Sequence, residues 1–460
     1  MANTTATPNQ SQPDPGSYAV AHIRIYPHNN PNFPKTSAEY VEIKNIVIQI
    51  VISESIYQSS VVTELHIVDS TSLVETFRLG GGEKVELSIF QDVLLLPLFN
   101  TWGKTEFTYE CYVSDIIDYN KANIGTQSYR IRCVSKHAYL NQLKTLNESF
   151  DAATEELVAN IASSHLSIDG DFGSGGGKMK GIYPNLHPLD AINWIARNSF
   201  NNGSPYFFWE QSKTICSEES LQRKKNIKFY SYEEMCNQTP IMELNNSPFL
   251  KEKSRLDPTY YKSLVEKIKH VESSLNISKF NDARRGAYAS TLEYVDIATK
   301  THKQKEYKYG DNINKLNEFK PFSDNIKFND IKLSEYTKAK EYYTSKNSRA
   351  FGDSPNYHEN ELDNLQESMT HLSNLEFLAH RLELHGNPWM TAGAVVNLKM
   401  WKSIDPELLD GSGDSLVDKY MSGNYLIKSA HHVFSGKEYH TVIDVIRDSQ
   451  ELDFDEEIKV

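Results

Sequence analysis

The stretch NYLIKSAHHVFSGKEYHTVIDVIRD, residues 424–448, alternates apolar and polar positions on both sides of a Ser-Gly-Lys-Glu turn at 435–438 and reads as a β-hairpin. It also carries His431, His432 and His440, which raises a metal site as a second reading. Neighbouring residues on a strand send their side chains to opposite faces, so His431 and His432 cannot both enter one tetrahedral site. Pairing across the turn sets His431 opposite His440 or Val442, according to loop length. The three histidines are therefore read as exposed or interface residues, and the hairpin as part of a larger sheet.

Working outward, strand-rich sequence occupies both ends of the chain. At the far end, YVEIKNIVIQIVISES alternates through Val41, Ile43, Ile46, Ile48, Ile50 and Ile52, and VVTELHIVD, KVELSIF, FTYECYVSDIIDY and SYRIRCVSK continue the period of half-buried strands. Gly80–Gly82 and the Asn120–Gly125 segment supply turns between them. Short, evenly spaced strands of this kind predict an antiparallel barrel or sandwich. At the near end, LEFLAHRLELHGNP and AVVNLKMW lead into the hairpin. The two ends correspond. GGGEKVELSIF parallels MTAGAVVNLKMW, and ECYVSDIIDYNKANIGTQSYRIRCVSK parallels NYLIKSAHHVFSGKEYHTVIDVIRDS: strand, Ser, strand, polar turn, Tyr, strand. This is the pattern of a diverged duplication, although β-hairpins in general share much of it.

Between the ends the period changes. FDAATEELVANIASSHL spaces Phe150, Ala153, Leu157, Ile161 and Ala162 for a helix with Asp151 as N-cap and Glu155 and Glu156 in its first turn. PLDAINWIARNSF predicts a second helix opened by Pro188 and stopped near Asn201–Gly203. YFFWEQSKTIC reads as a small hairpin, TYYKSLVEKIKHVESS as a charged helix, RGAYASTLEYVDI as a strand, and KTHKQKEYKYGDNINKLNEFKPFSDN as exposed loop. IDPELLDGSGDSLVDKY is taken for a surface loop.

Composition narrows the function. A chain of 460 residues has room for several cores, and its net charge of −13 repels nucleic acid and anionic membranes at long range. No run of eighteen apolar residues occurs, and the opening MANTTATPNQSQPDPG lacks the basic and apolar regions of a signal peptide. Cys111, Cys133, Cys216 and Cys236 have no CxxC spacing and are expected to be buried free thiols. GSGGGKMK at 173–180 is one residue short of a phosphate-binding loop and has Met179 where a Ser or Thr would meet magnesium. Asp410 and Asp414 in DGSGD lack the ligand count of a calcium loop. The basic patches at 223–225 and Arg284–Arg285 are short and offset by acids. No nucleophile or zinc-protease motif appears, and no carboxylate stands out among 61. No catalytic, cofactor-binding or metal residue is assigned.

The order of parts resembles the central baseplate hub protein of contractile-tailed bacteriophages, a family related to the base of type VI secretion spikes. The residues that carry the resemblance are IVDSTSLVETFRLGGGEKVELSIF, SYRIRCVSKHAYLNQ, HPLDAINWIARNSF with SPYFFWEQS, RGAYASTLEYVDI, and HGNPWMTAGAVVNLKM with the 424–448 hairpin. The resemblance spans about residues 18 to 450 and departs around 300–374 and 403–422. It implies an α+β, mainly β, fold: two tube-type antiparallel β-barrels with a helix-plus-hairpin insert between them. The expected divisions are a disordered polar arm at 1–17, a first barrel at 18–140, the insert at 141–235, a polar extension at 236–374 giving strands to the second barrel, the second barrel at 375–450, and an acidic tail at 451–460.

The same resemblance implies a structural protein of the virion tail baseplate, assembled in the host cytoplasm, with no enzymatic activity and no cofactor. Its implied partners are two further copies in a pseudo-sixfold trimer, the central spike, the tail tube or its initiator ring, the tape-measure protein and the surrounding baseplate wedges. DNA would pass the lumen without specific binding, and no stable membrane insertion is expected. Alternative readings are a tail-associated cell-wall-degrading glycosidase and a β-rich adhesin or binding module.

Overall fold

A computed structural model describes residues 16–27, 40–95, 101–123, 125–201, 204–212, 214–216, 225–247, 258–275, 279–309, 327–352, 357–402, 417–436 and 438–448. The first strands are β1 (Ala19–Tyr26), β2 (Val41–Glu42), β3 (Val47–Ser55), β4 (Val62–Asp69), β5 (Lys84–Leu95), β6 (Thr101–Asn123) and β7 (Thr126–Ser135). Their ladder runs β1-β5-β6-β7-β4-β3. It closes on itself because the segment leading into β3 returns to β1: Val41 and Glu42 pair with Ile25 and Arg24, and the Ile43 N–H donates to the Ile23 carbonyl at 2.8 Å. Alternation does the rest. Ile50, Ile52, Leu65, Ile67, Val85, Leu87, Ile89 and Ile131 point inward and form one apolar core.

The insert follows as β8 (Ser149–Ala153), β9 (Gly170–Phe172), β10 (Lys178–Ile182), β11 (Phe200–Asn201), β12 (Ser204–Glu210), β13 (Thr214–Cys216) and β14 (Ile227–Ser231). The helices Thr154–Ile161 and Pro188–Asn198 pack on these strands over a separate core containing Leu157, Val158, Ile161, Ile192 and Ile195. The first helix begins later than the spacing predicts. Phe150 and Ala153 lie in β8, paired with β10, and Asp151 is no N-cap but an ion-pair partner of Lys178 and Lys180. YFFWEQSKTIC is not a hairpin: β12 pairs with β14, while β13 crosses to the first barrel and pairs with β6.

The remaining strands are β15 (Glu243–Asn245), β16 (Ile268–Leu275), β17 (Ala289–Asp296), β18 (Thr301–Lys308), β19 (Lys327–Phe328), β20 (Ile331–Lys332), β21 (Glu341–Lys346), β22 (Leu378–His385), β23 (Val395–Lys399), β24 (Gly423–Ser435) and β25 (Glu438–Arg447). A second ladder, β15-β23-β24-β25-β22-β16, closes through a bridge from Asn245 to Lys267 around Leu244, Leu382, Val396, Ile427 and Ile443. The expected charged helix at TYYKSLVEKIKHVESS ends at Val265, and its second half is β16, an edge of this barrel. The expected loop beginning KTHKQ contains β18, a strand exposed almost throughout, paired with β17 beside β21. Gln366 on the helix Tyr357–Asn374 ties that small sheet down through the Ser290 carbonyl.

The two barrels have the same strand order. Taken in chain order, β1, β3, β4, β5, β6 and β7 occupy the places of β15, β16, β22, β23, β24 and β25. Two bulges coincide as well: β6 slips against β7 between Val113 and Asp115 as β24 slips against β25 between Ile427 and Ser429. Likewise β3 slips against β4 between Val47 and Gln49 as β16 slips against β22 between Ile268 and His270. A bulge adds a residue to one strand and fixes where the sheet bends, so matched bulges mean matched curvature. The first strands differ in direction: β1 runs antiparallel to β5, whereas β15 runs parallel to β23.

Candidate functional site

The barrels meet at the hairpin formed by β24 and β25. Ser429–Ser435 of β24 pairs with Ser55–Gln49 of β3, joining both ladders into one sheet. The hairpin's other strand reaches the start of the chain: Glu438 bridges Ser17, and the Tyr439 N–H donates to the Gly16 carbonyl at 2.7 Å. The end of the expected polar arm is thus tied to the hairpin; residues 1–15 and the tail at 451–460 lie outside the described residues. Phe434 and Tyr439, from the second barrel, are members of the first barrel's core.

The three histidines serve different surroundings. His432 is fully buried, shares a 2.7 Å hydrogen bond with the Tyr439 hydroxyl and lies 5.4 Å from the Phe107 ring. His431 leaves the opposite face, opposite Val442, and meets the Ser53 hydroxyl at 2.9 Å across the β24–β3 seam. Burial lowers its pKa. His440 accepts from Lys269 at 3.2 Å. Among the described residues no cluster of three or more His, Cys, Asp or Glu side chains is placed to hold a metal ion.

Two buried carboxylates that the sequence did not single out hold the junction. Glu54 on β3 accepts from the Ala392 N–H at 2.7 Å and from the Ser212 N–H, linking the first barrel to the second and to the insert. Glu210, ending β12, accepts from the Val61 N–H at 2.7 Å and Asn226 Nδ2 at 3.0 Å, with Ser135 and His137 beside it. Both carry a signal in the sequence pattern. Glu54 continues the inward register of Ile50 and Ile52, and Glu210 ends a strand buried along its whole length. Around them pack Ile56, Phe207, Trp209, Leu375, Val395 and Ile446. Inside the first barrel, burial pushes the Asp69 carboxyl up, but bonds from Thr71, Leu73 and Tyr129 outweigh it and hold its pKa below the usual value. These acids accept backbone hydrogens and fix chain segments.

The other sequence candidates are scattered. Lys178 and Lys180 of GSGGGKMK are paired to Asp151, and Gly176 packs on Thr154 and Ser199. Lys225 pairs with Asp169, and Arg284 and Arg285 end the helix Lys279–Arg285. Cys111 and Cys133 are buried free thiols in the first barrel, and Cys236 is a half-buried one. A hydrogen bond with Cys111, and then burial, push the Cys133 thiol well up, away from nucleophilic use. The DGSGD stretch and the side chain of Cys216 lie outside the described residues. Among those residues no helix is long and apolar enough to cross a membrane.

No family model matches the sequence, and no curated protein matches it. Solved structures do resemble it over most of its length. A tail protein from Neisseria meningitidis MC58 is 11% identical at TM-score 0.49, covering 94% of this chain and 97% of that one. A 43 kDa tail protein of prophage MuSo2 from Shewanella oneidensis is 10% identical at TM-score 0.46, covering 93% of this chain and 98% of that one. A type VI secretion system component from E. coli is 9% identical at TM-score 0.41, covering 89% of this chain and 75% of that one.

Proposed function

We propose that this chain is a structural hub of a contractile tail baseplate, acting as a symmetry adapter and conduit and carrying no catalysis. The observation that supports the reading best is the repetition of one barrel strand order, with coincident bulges, inside one polypeptide. A chain with two equivalent barrels lets three copies present six similar units around an axis. Such a ring matches a sixfold tube on one side and a threefold spike on the other, which one barrel per chain cannot do. The hub-like order of sequence segments supports the same assignment. In this reading the partners are the spike, the tube or its initiator, the tape-measure protein and the wedges. The excess of acids, 61 against 48 bases, keeps passing DNA from adhering to the wall.

The test is imaging and native mass measurement of the full chain, alone and with its spike. Rings of three chains with six densities around a central hole are expected. Particles in which the chain lies off the axis would overturn the reading. For the absence of catalysis, the purified protein is expected to leave cell walls intact; lysis abolished by one carboxylate substitution would establish the glycosidase reading instead.

A further inference from the structure

The seam between the barrels is made once inside the chain, and its counterpart is left open. Matched bulges place Ile427 on Val113 and Ser429 on Asp115, so Ala430–Ser435 of β24 corresponds to Ile116–Lys121 of β6. They also place Val47 on Ile268 and Gln49 on His270, so Gln49–Glu54 of β3 corresponds to His270–Leu275 of β16. β24 and β3 pair through these residues. β6 and β16 do not pair with each other. From Asp115 onward β6 pairs with β7 on one side only, β16 pairs with β22 on one side only, and among the described residues no backbone bond reaches either outer edge. Both edges are wet: Asp115 and Asp118–Lys121 are exposed, as are Lys269, His270 and Glu272–Ser274.

We propose that these two edges pair with each other between copies of this chain, β6 of one copy adding to β16 of the next. The inference rests on the ring reading and supplies its intermolecular contact. A strand edge with unpaired N–H and C=O groups is a template for another strand, and the fold already shows which strand suits each of these two. Six residue pairs span about 20 Å of ladder. Ile116 comes opposite Leu275, and Ile117 comes opposite Ser274, in the places where His431 and Ser53 meet at 2.9 Å. β6 carries a further bulge after Ile117 that β24 lacks, so the correspondence is strict at Ile116 and Ile117 and follows the strand's bend beyond them. The contact is heterologous, one edge to a different edge, and such contacts close into a ring when the step repeats around an axis.

The experiment uses the full chain with Ile117→Cys and Ser274→Cys together, oxidised mildly at a concentration where native mass measurement sees assembly, with wild type as the thiol background. The double variant is expected to give a covalent closed trimer. Each single variant alone should give no link, and an equal mixture of the two singles should give dimers and nothing larger. Rings that assemble without linking overturn the pairing and leave the ring reading standing. A link formed within one chain also overturns the pairing, and monomers under every condition overturn both. Should the double variant fail to fold, hydrogen exchange on wild type decides: amides of 115–121 and 268–275 are expected to exchange at least about tenfold more slowly in the ring than in the monomer. Unchanged exchange overturns the proposal.

Discussion

Replacing Phe434 by Ala tests whether the hairpin of the second barrel completes the core of the first. The ring has no exposed surface. It stacks on Tyr439 at 4.3 Å and meets Phe107 at 5.5 Å and Tyr18 at 5.1 Å, both edge-on. Removing a buried Phe side chain costs about 3–5 kcal/mol where the cavity cannot collapse. Each aromatic pair adds about 0.5–1.5 kcal/mol beyond its buried area. These terms overlap, because Tyr439 and Phe107 also touch each other at 5.9 Å, so the expected total is about 4–5 kcal/mol. A chain with several cores need not unfold in one step, and site-resolved hydrogen exchange is therefore the assay. Protection should fall at Ile23, Ile25, Phe107 and Tyr109 in the first barrel, although the substitution lies in the second. Ile443→Ala, in the core of the second barrel, should loosen that barrel instead. A Phe434→Ala effect below about 1 kcal/mol, or one confined to β22–β25, would refute the shared core.

Glu54→Ala should cost about 2–4 kcal/mol by leaving the buried Ser212 and Ala392 N–H groups without their carboxylate; an unchanged urea midpoint would contradict that role. His380, bonded to Ser273 and Tyr425, has its pKa lowered from 6.5 to about 4 by burial. Its folded pKa lies below the unfolded one, so the associated stability is complete above pH 6.5 and declines as pH falls toward 4, by about 3 kcal/mol in all. His380→Phe should remove its share of the decline in the denaturation midpoint between those pH values, leaving the share of His371, whose pKa burial also lowers to about 4. Gly393 has φ +82°, and a Cβ there would lie 2.4 Å from the Trp209 ring, whereas Gly436 has φ +62° with open space around it. Gly393→Ala should therefore cost more than Gly436→Ala, for which only the backbone term of about 1–2 kcal/mol applies; equal melting shifts would show that the ring yields freely.

Period-2 alternation made the barrel strands legible, because over most of their length one face lies in a core and the other is less buried. Ile50 and Ile52 on β3, and Leu382 and Leu384 on β22, are examples. The Gly-led strands and the two hairpins suggested a duplication on the same pattern, while the bulges that fix their correspondence came only from the structure. The aligned tyrosines were misleading: with the bulges matched, Tyr129 falls on Thr441 rather than Tyr439. β16 was hidden because Leu264, Ile268 and Val271 recur at helical spacing; Ile268 enters the second core from a strand, with Val271 packed against it. β18 was missed because exposure along most of its length erases the alternation. Long-range partners could not be read at all. Nothing local in YFFWE says that β12 will pair with β14 while β13 crosses to β6, since pairing is decided by which edges remain after the cores form.

The two copies of the barrel keep rungs that hold register and differ where they meet their neighbours. In the first, Glu64 on β4 receives Arg132 of β7 at 2.9 Å; at the matched position of the second, Arg381 on β22 reaches Asp444 of β25 at 2.8 Å. The sign is reversed, and a register pin requires only that the two charges be opposite. The hairpin tips differ in kind. The β24–β25 tip, with His432, Phe434 and Tyr439, is buried against a partner within the same chain and can be apolar because it is never uncovered. The β6–β7 tip, with Asp118, Tyr119, Asn120 and Lys121, faces water. An edge that must stay soluble until a second copy arrives has to be polar, since an apolar one would recruit any strand. The contrast between the tips is what one permanent seam and one assembly-dependent seam of the same geometry require.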